Sequence, residues 1–398
     1  MARRVLLHIG TPKTATTYLQ DILFRNRDVL AKHGVHYPAE HYSDHFRAAI
    51  NLTGREWGGV EAEVVGEWDA LAARARSLDG TVIISSELLA EATPEQVRRA
   101  VDGFGGAEVH VVLTARDLGR QIPAEWQERI KYYNTETYAE FLRVVTSGKG
   151  RSADLFWSVQ HLPNILERWT TAVPPEHVHL VTLPPPNAPR DVVLDRLVEA
   201  FGLTDIPLAL DSYRTNTGLG ANEASLLRLV NEHLPTSRWR DVLREVVASG
   251  QLAERTARTG SPSATLPPDL HAWVSDLAAE WTKRISDAGY DVVGDLADLE
   301  PVLPTVFVDP DQPDEHEMLG AAVESIIALV VDIWDRIEYK YELLDELERT
   351  RAERDYFRDV PLRRRAAEKL VHRLDASGAG RQALAVYRRA RGRSSREA

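Results

Sequence analysis

A lysine set among threonines carries the first chemical signal of this chain. Thr11-Pro12-Lys13-Thr14-Ala15-Thr16-Thr17 follows directly on the apolar run Val5–Ile9 and on Gly10. The apolar run reads as a buried strand and the residues from Thr16 as the start of a helix, so the polar stretch is a strand-to-helix turn. Such a junction aims free backbone N–H groups and the positive end of a helix dipole at one point. Hydroxyls and an ammonium in the same turn make it a site for a phosphate or sulfate group. Two more strand ends carry polar groups: Glu87 in Ile84-Ser85-Ser86-Glu87, and Arg116 in Thr114-Ala115-Arg116-Asp117.

The ATP-binding loop G-x-x-x-x-G-K-[ST] fails here, because Ala15 and Thr16 stand where its second glycine and its lysine belong. That failure argues against a nucleotide kinase. Lys13 comes early instead, ahead of Thr14-Ala15-Thr16-Thr17. The order resembles the 5′-phosphosulfate loop of sulfotransferases that use 3′-phosphoadenosine 5′-phosphosulfate (PAPS), roughly P-K-[TS]-[GA]-[TS]-[TS]. The longer string His8-Ile-Gly-Thr-Pro-Lys-Thr-Ala-Thr-Thr-Tyr-Leu-Gln20 is similar to the bacterial, actinobacterial-type members of that family.

The resemblance implies a P-loop NTPase-like sulfotransferase fold and transfer of a sulfuryl group from PAPS, as co-substrate, to a hydroxyl or amine. The acceptor would be a small molecule, a lipid or a saccharide. It implies that Thr11, Pro12, Lys13, Thr14, Ala15, Thr16 and Thr17 hold the phosphosulfate, with Lys13 on the leaving oxygen. It further implies that Arg116 clamps the 3′-phosphate and that Glu87 takes the acceptor's proton, His45 being a secondary candidate. No metal is required by that chemistry. Three departures stand out. Ala15 replaces a common glycine. Ala124 sits eight residues after Arg116, where the family carries serine. The family's Arg-Lys-Gly loop has no literal copy, Arg255-Thr-Ala-Arg-Thr-Gly-Ser261 being the nearest substitute. These keep a second reading open: a catalytically inactive fold-mate that binds a nucleotide or glycan.

Each residue also has an ordinary structural alternative. The threonines could cap a common helix, Glu87 could be an N-cap or salt-bridge partner, and Arg116 could pair with Asp117. His45 could be structural and His8 a core residue. Trp126 could wall a pocket or stack on adenine, although packing is the commoner fate of a tryptophan. Arg120 or Gln121, one turn beyond Arg116, could make up for the hydroxyl missing at Ala124.

Short apolar strands at Val5–Ile9, Thr81–Ser85, Val109–Thr114 and Val178–Thr182 alternate with helical segments, which predicts an α/β fold with a mainly parallel sheet covered on both faces. Helices are expected over Trp68–Leu78, Pro94–Val101 with Thr93 as N-cap, Asp191–Phe201, Glu223–His233, Arg238–Ala248 and Asp269–Ala288. His36–Trp68 reads as a polar segment with aromatics. The expected organisation is a sulfotransferase-like domain over 1–300, a proline-rich linker over 301–316, and a helical extension over 317–398. The resemblance explains nothing beyond 301.

A net charge of −12 argues against a general nucleic-acid binder, and the lack of any cysteine excludes disulfides, thiol nucleophiles and cysteine–metal sites. No secretory signal and no stretch of about 20 apolar residues is read, so a cytoplasmic protein is expected. Residues 361–398 hold 11 Lys and Arg against 3 acidic residues, a net +8, leaving −20 on the remainder. That tail is either a solvated end pairing with the acidic body or a peripheral contact with a membrane surface or a protein. The charged stretch Glu338–Phe357 could pair between subunits or fold back.

Overall fold

The computed structural model describes residues 2–189, 191–210, 218–234, 252–359 and 361–394, the side chains of 390–394 excepted. The expected helix Arg238–Ala248 and residues 211–217 lie outside them. Two compact units divide the chain, Met1–Ile326 and Ile327–Ala398.

The first unit is α/β. Its six strands are β1 (Ala2–His8), β2 (Val35–His36), β3 (Gly80–Ser85), β4 (Glu108–Ala115), β5 (Val178–Thr182) and β6 (Asp291–Val293). They form one sheet in the order β2-β3-β1-β4-β5-β6, and every pairing is parallel. Helices flank the sheet, which is why its central strands are near-continuous apolar runs rather than alternating ones. Val5, Leu7, Val82, Ile83, Ile84, Val111, Val112 and Leu113 are wholly buried.

After β1 the chain crosses to β2 and β3 on one side, then returns past β1 to β4 on the other. The order therefore reverses between β1 and β4, and their carboxyl ends face the crevice where open α/β sheets bind ligands. The four strands expected from sequence are β1, β3, β4 and β5. The two short strands β2 and β6, and the helix Asp44–Thr53 inside the supposed polar segment 36–68, were not expected. That helix forms because Ala48, Ala49, Ile50 and Leu52 bury one face. Thr93 caps Pro94–Asp102 as expected, in a reciprocal box with Gln96.

Residues 301–316 do not behave as a free linker. The Val302 N–H donates to Asp117 Oδ1 at 3.0 Å, and Asp311 accepts from the N–H groups of Tyr138 and Ala139 at 2.9 and 2.8 Å. The expected segments Glu317–Ile337 and Glu338–Phe357 are one helix, Glu315–Asp359. The second unit continues with helices Leu362–Asp375 and Gly378–Ser394, so the basic stretch is helical to Ser394. No helix among the described residues is long and apolar enough to cross a membrane.

Buried polar residues end the central strands. His8 closes β1, Ser85 closes β3 and Thr114 lies one residue from the end of β4, all essentially inaccessible. The Thr114 hydroxyl donates to the Gly10 carbonyl at 2.9 Å, so His8 Nε2, 3.3 Å away, must be the donor to Thr114. His8 Nδ1 then accepts from Ser85 Oγ at 2.7 Å. Burial pushes the His8 pKa down to about 3, keeping the ring neutral as this relay needs. Thr114→Val preserves shape and leaves the Gly10 carbonyl its bond from the residue 114 N–H, but strands the buried His8 N–H. We expect it to lower unfolding free energy by about 1–3 kcal/mol in chemical denaturation, with Thr114→Ser close to wild type.

Candidate functional site

The turn after β1 is tied to the end of β4. Thr11 N–H donates to the Thr114 carbonyl at 2.8 Å and Thr114 N–H returns to Gly10 O at 2.6 Å. The Thr14 hydroxyl bonds both the Thr11 carbonyl and Thr114 Oγ1. Lys13 and Ala15 both adopt left-handed backbone, φ +64° each. Ala15 thus stands at a position that glycine fills without strain, and the sequence departure there has a structural meaning. Ala15 is the N-cap of the helix Thr16–Arg25 and no side chain caps it. The helix's first N–H groups are left open to a ligand.

Asp117 starts the second element by capping the helix Leu118–Lys131, its carboxylate accepting from Arg120 N–H at 3.1 Å. One face of this helix, with Gly119, Arg120, Pro123, Ala124 and Gln127, lines a cavity of about 710 Å³ together with Lys13, Ala15, Thr16, Thr17 and Arg116. That volume lies within the roughly 300–1,000 Å³ of small-molecule sites. Among the described residues no carboxylate lines it, whereas Lys13, Arg116 and Arg120 do. Burial and the neighbouring Arg120 pull the Arg116 pKa down to about 10, which still leaves it cationic at neutral pH. A cavity with three cations and no lining carboxylate suits a polyanion.

The adjoining face of the same helix holds the loop in place. Arg116 Nε donates to Gln121 Oε1 at 2.9 Å, and Gln121 Nε2 donates to the Pro12 carbonyl at 2.7 Å and to Gln160 Oε1 at 2.9 Å. One amide thereby sets the arginine relative to the lysine loop. Gln160 Nε2 passes the relay on to Glu125 Oε1 at 2.9 Å. Lys13 Nζ meets Glu128 Oε2 at 2.7 Å, with Lys131 on the same carboxylate at 3.9 Å. Burial holds the Lys131 pKa down to about 8 against the pull of Glu128. Gln121 was expected only as a stand-in for the hydroxyl missing at Ala124, and Glu125 and Glu128 were given no role, although the spacing i, i+4, i+7 puts the three on one helical face.

Glu87 is half-buried, accepts from Gln20 Nε2 at 3.1 Å, and lies against Gly10 rather than in the cavity lining. A Cβ on Gly10, whose φ is +99°, would come within 3.1 Å of Glu87 Cα. The loop therefore meets the cavity through Lys13, Ala15, Thr16 and Thr17 and meets Glu87 through Gly10, while Thr11, Pro12 and Thr14 are outside the lining, Thr11 and Thr14 being buried. His45 is not an accessible base. It is buried, its Nδ1 accepts from Ser85 N–H at 3.2 Å, its ring packs 4.3 Å from Tyr37, and burial lowers its pKa to about 4.

Trp126 is core, bonded through Nε1 to the Glu136 carbonyl. Arg255 is committed elsewhere. It is buried against Glu223, Glu317 and Glu324 at 3.2, 2.8 and 2.8 Å, so it does not replace the missing Arg-Lys-Gly loop. Ser263, Ala264 and Thr265, a few residues on, do reach the cavity. Gly218 lines the cavity as well.

Burial raises the Glu125 pKa from 4.5 to about 7, with Lys13 opposing. A carboxyl raised on folding favours the native state only while protonated. Its contribution is full below about pH 4.5 and is lost as the pH climbs to about 7. Glu125→Gln keeps the acceptor for Gln160 and removes this titration. Denaturation curves across pH should show the variant matching wild type at pH 4 and exceeding it at pH 8.

No model of a known protein family, no curated protein and no solved structure matches this chain, so its chemistry is read from the residues themselves.

Proposed function

We propose that this chain is a PAPS-dependent sulfotransferase on a P-loop-like α/β scaffold, acting in the cytoplasm. The observation that carries the reading is the convergence of the Lys13–Thr17 turn and Arg116, about a hundred residues apart in sequence, on one cation-lined cavity at the switch point of a parallel sheet. PAPS has anionic groups at two ends of a nucleoside, and the cavity has cations from two separate elements. The open N–H groups of the helix Thr16–Arg25 and the threonine hydroxyls would hold the 5′-phosphate, and the Arg116 guanidinium the 3′-phosphate.

In the reaction an acceptor oxygen or nitrogen attacks sulfur, the bond from sulfur to the phosphate oxygen breaks, and the acceptor's proton leaves to a base. Catalysis of this kind is positioning plus stabilisation of the leaving charge. Lys13 would supply the charge after exchanging Glu128 for the leaving oxygen. Glu87, on the Gly10 side of the loop, would take the proton of a hydroxyl or amine on a small molecule, lipid or saccharide. Ala124 in the cavity lining offers no hydroxyl to the 3′-phosphate, and Arg120 beside it, its guanidinium shared with Asp117 and the Pro184 carbonyl, is a further cation of that wall. A binding-only protein of the same scaffold is the second reading, favoured by the pairing of Lys13 with Glu128 and the seclusion of Arg255.

Calorimetric titration with adenosine 3′,5′-bisphosphate tests the site, with adenosine 5′-monophosphate as control. Arg116→Ala should weaken binding at least tenfold and erase the preference over the monophosphate. Glu128→Gln, which frees Lys13, should tighten it severalfold. No binding by wild type would sink the proposal. Binding without sulfuryl transfer to any acceptor class would leave the binding-only reading.

A further inference from the structure

At the other end of the sheet, where the strands begin, four side chains form a continuous polar chain. Asp291 Oδ2 lies 2.6 Å from His179 Nδ1, His179 Nε2 lies 2.8 Å from His110 Nδ1, and His110 Nε2 lies 2.7 Å from Glu108 Oε1. The parallel register makes it, pairing His179 on β5 with Asp291 on β6 and setting β4 alongside β5. His177, in the turn just before β5, stacks on His110 with ring centroids 4.2 Å apart.

Counting protons exposes a deficit. Three contacts link two carboxylates, which only accept, through two imidazoles, and each contact needs one hydrogen. Two neutral imidazoles carry two. With His179 donating to Asp291 and His110 donating to His179, the lone pair of His110 Nε2 faces a Glu108 oxygen, and two acceptors meet at 2.7 Å. A third hydrogen, or a metal ion in its place, has to join them.

We propose that Glu108, His110 and His177 form a binding site for a divalent cation of the zinc class. One ligand atom from each lies within 4.8 Å of the others. Imidazole nitrogen with carboxylate oxygen is a donor set for Zn²⁺, Co²⁺ or Ni²⁺. A metal ion takes the place of the missing proton once the Glu108–His110 contact opens from 2.7 Å to about 3.3 Å, the separation of two ligands on one tetrahedral ion. His177 is half-buried on a short 3₁₀ turn, and reorientation of its ring completes the triad. The support behind the ligands is already in place, since His179, itself held by Asp291, fixes His110 through its other nitrogen, as metal-bound histidines require. Arg4 Nη2 holds the same Glu108 oxygen at 3.0 Å, so the carboxylate would present its other oxygen to the ion or share Oε1 with the guanidinium. The site would clamp the leading ends of β4 and β5. It is independent of the cavity at the opposite ends of the strands.

The test is calorimetric titration of ZnCl₂ into the untagged, EDTA-treated full chain, with thermal unfolding measured in parallel. We expect one saturable site at pH 7.5, weaker binding at pH 6 where protons compete, and a rise in Tm of about 3 °C or more at saturation. His110→Gln and His177→Gln should each weaken binding at least tenfold, and His316→Gln, on an exposed helix, should not. His177→Gln removes a half-buried ring from a turn and keeps the test usable if His110→Gln fails to fold. Absence of saturable binding, or equal affinity in the His177→Gln variant, overturns the proposal.

Discussion

The candidate site depends on the junction between the first turn and the end of β4. Thr114 is its centre. Its backbone exchanges hydrogen bonds with Gly10 and Thr11, and its hydroxyl joins Thr14, His8 and the Gly10 carbonyl. A strand-to-helix turn with left-handed residues at positions 13 and 15 would not hold one shape on local preference alone, because each non-glycine residue in that region costs about 1–2 kcal/mol. The buried bonds to Thr114 offset that strain. Gln121 then carries the same rigidity outward, reading the Pro12 carbonyl with its amide nitrogen and Arg116 with its oxygen. The spacing between the lysine loop and the arginine is thereby set before any ligand arrives, and this preorganisation favours binding.

Electrostatics divides the chain sharply. A protein of net charge −12 would repel an anionic ligand at long range, yet the cavity lining is cationic. Glu128 reconciles the two. It is partly exposed, beside the cavity rather than in it, and holds Lys13 at 2.7 Å. It is the carboxylate that Lys13 and Lys131 share in a half-buried space, where an unshared charge is costly. In the proposed function an incoming phosphate or sulfate group would take the lysine over, and a neutral ligand would gain nothing from breaking the contact.

Much of this was legible in the sequence, and the reasons are local. β1, β3, β4 and β5 announce themselves as short apolar runs because both sheet faces are covered. β2 and β6, two and three residues long at the sheet edges, carry no pattern that periodicity can detect. The lysine turn and Arg116 are contiguous motifs at strand ends and were readable as such. His45 was misleading because an imidazole near a helix start looks the same whether it faces a cleft or, as here, Tyr37 and the backbone of Ser85. Arg255 misled likewise, since its three carboxylate partners come from Glu223 and from residues more than sixty positions on. The relay from Arg116 through Gln121 and Gln160 to Glu125 joins side chains that only tertiary structure brings together.

An all-parallel sheet puts every strand start on one side and every strand end on the other, and this chain uses the two sides differently. At the carboxyl ends His8, Ser85 and Thr114 form a neutral, buried network that shapes a loop. At the amino ends Glu108, His110, His177, His179 and Asp291 form a charged, partly exposed one, at alternate positions in Glu108-Val109-His110 and His177-Val178-His179. Alternation places each pair on one face of the pleat, and the cross-strand register brings the faces together. Between the two networks β4 contributes Val111, Val112 and Leu113, all wholly buried. Six steps at about 3.3 Å each separate His110 from Arg116, roughly 20 Å, and the apolar run Val111–Leu113 parts the two polar networks. Substitutions so far apart act additively. The two ends share a scaffold, and the stability of the sheet is what couples them.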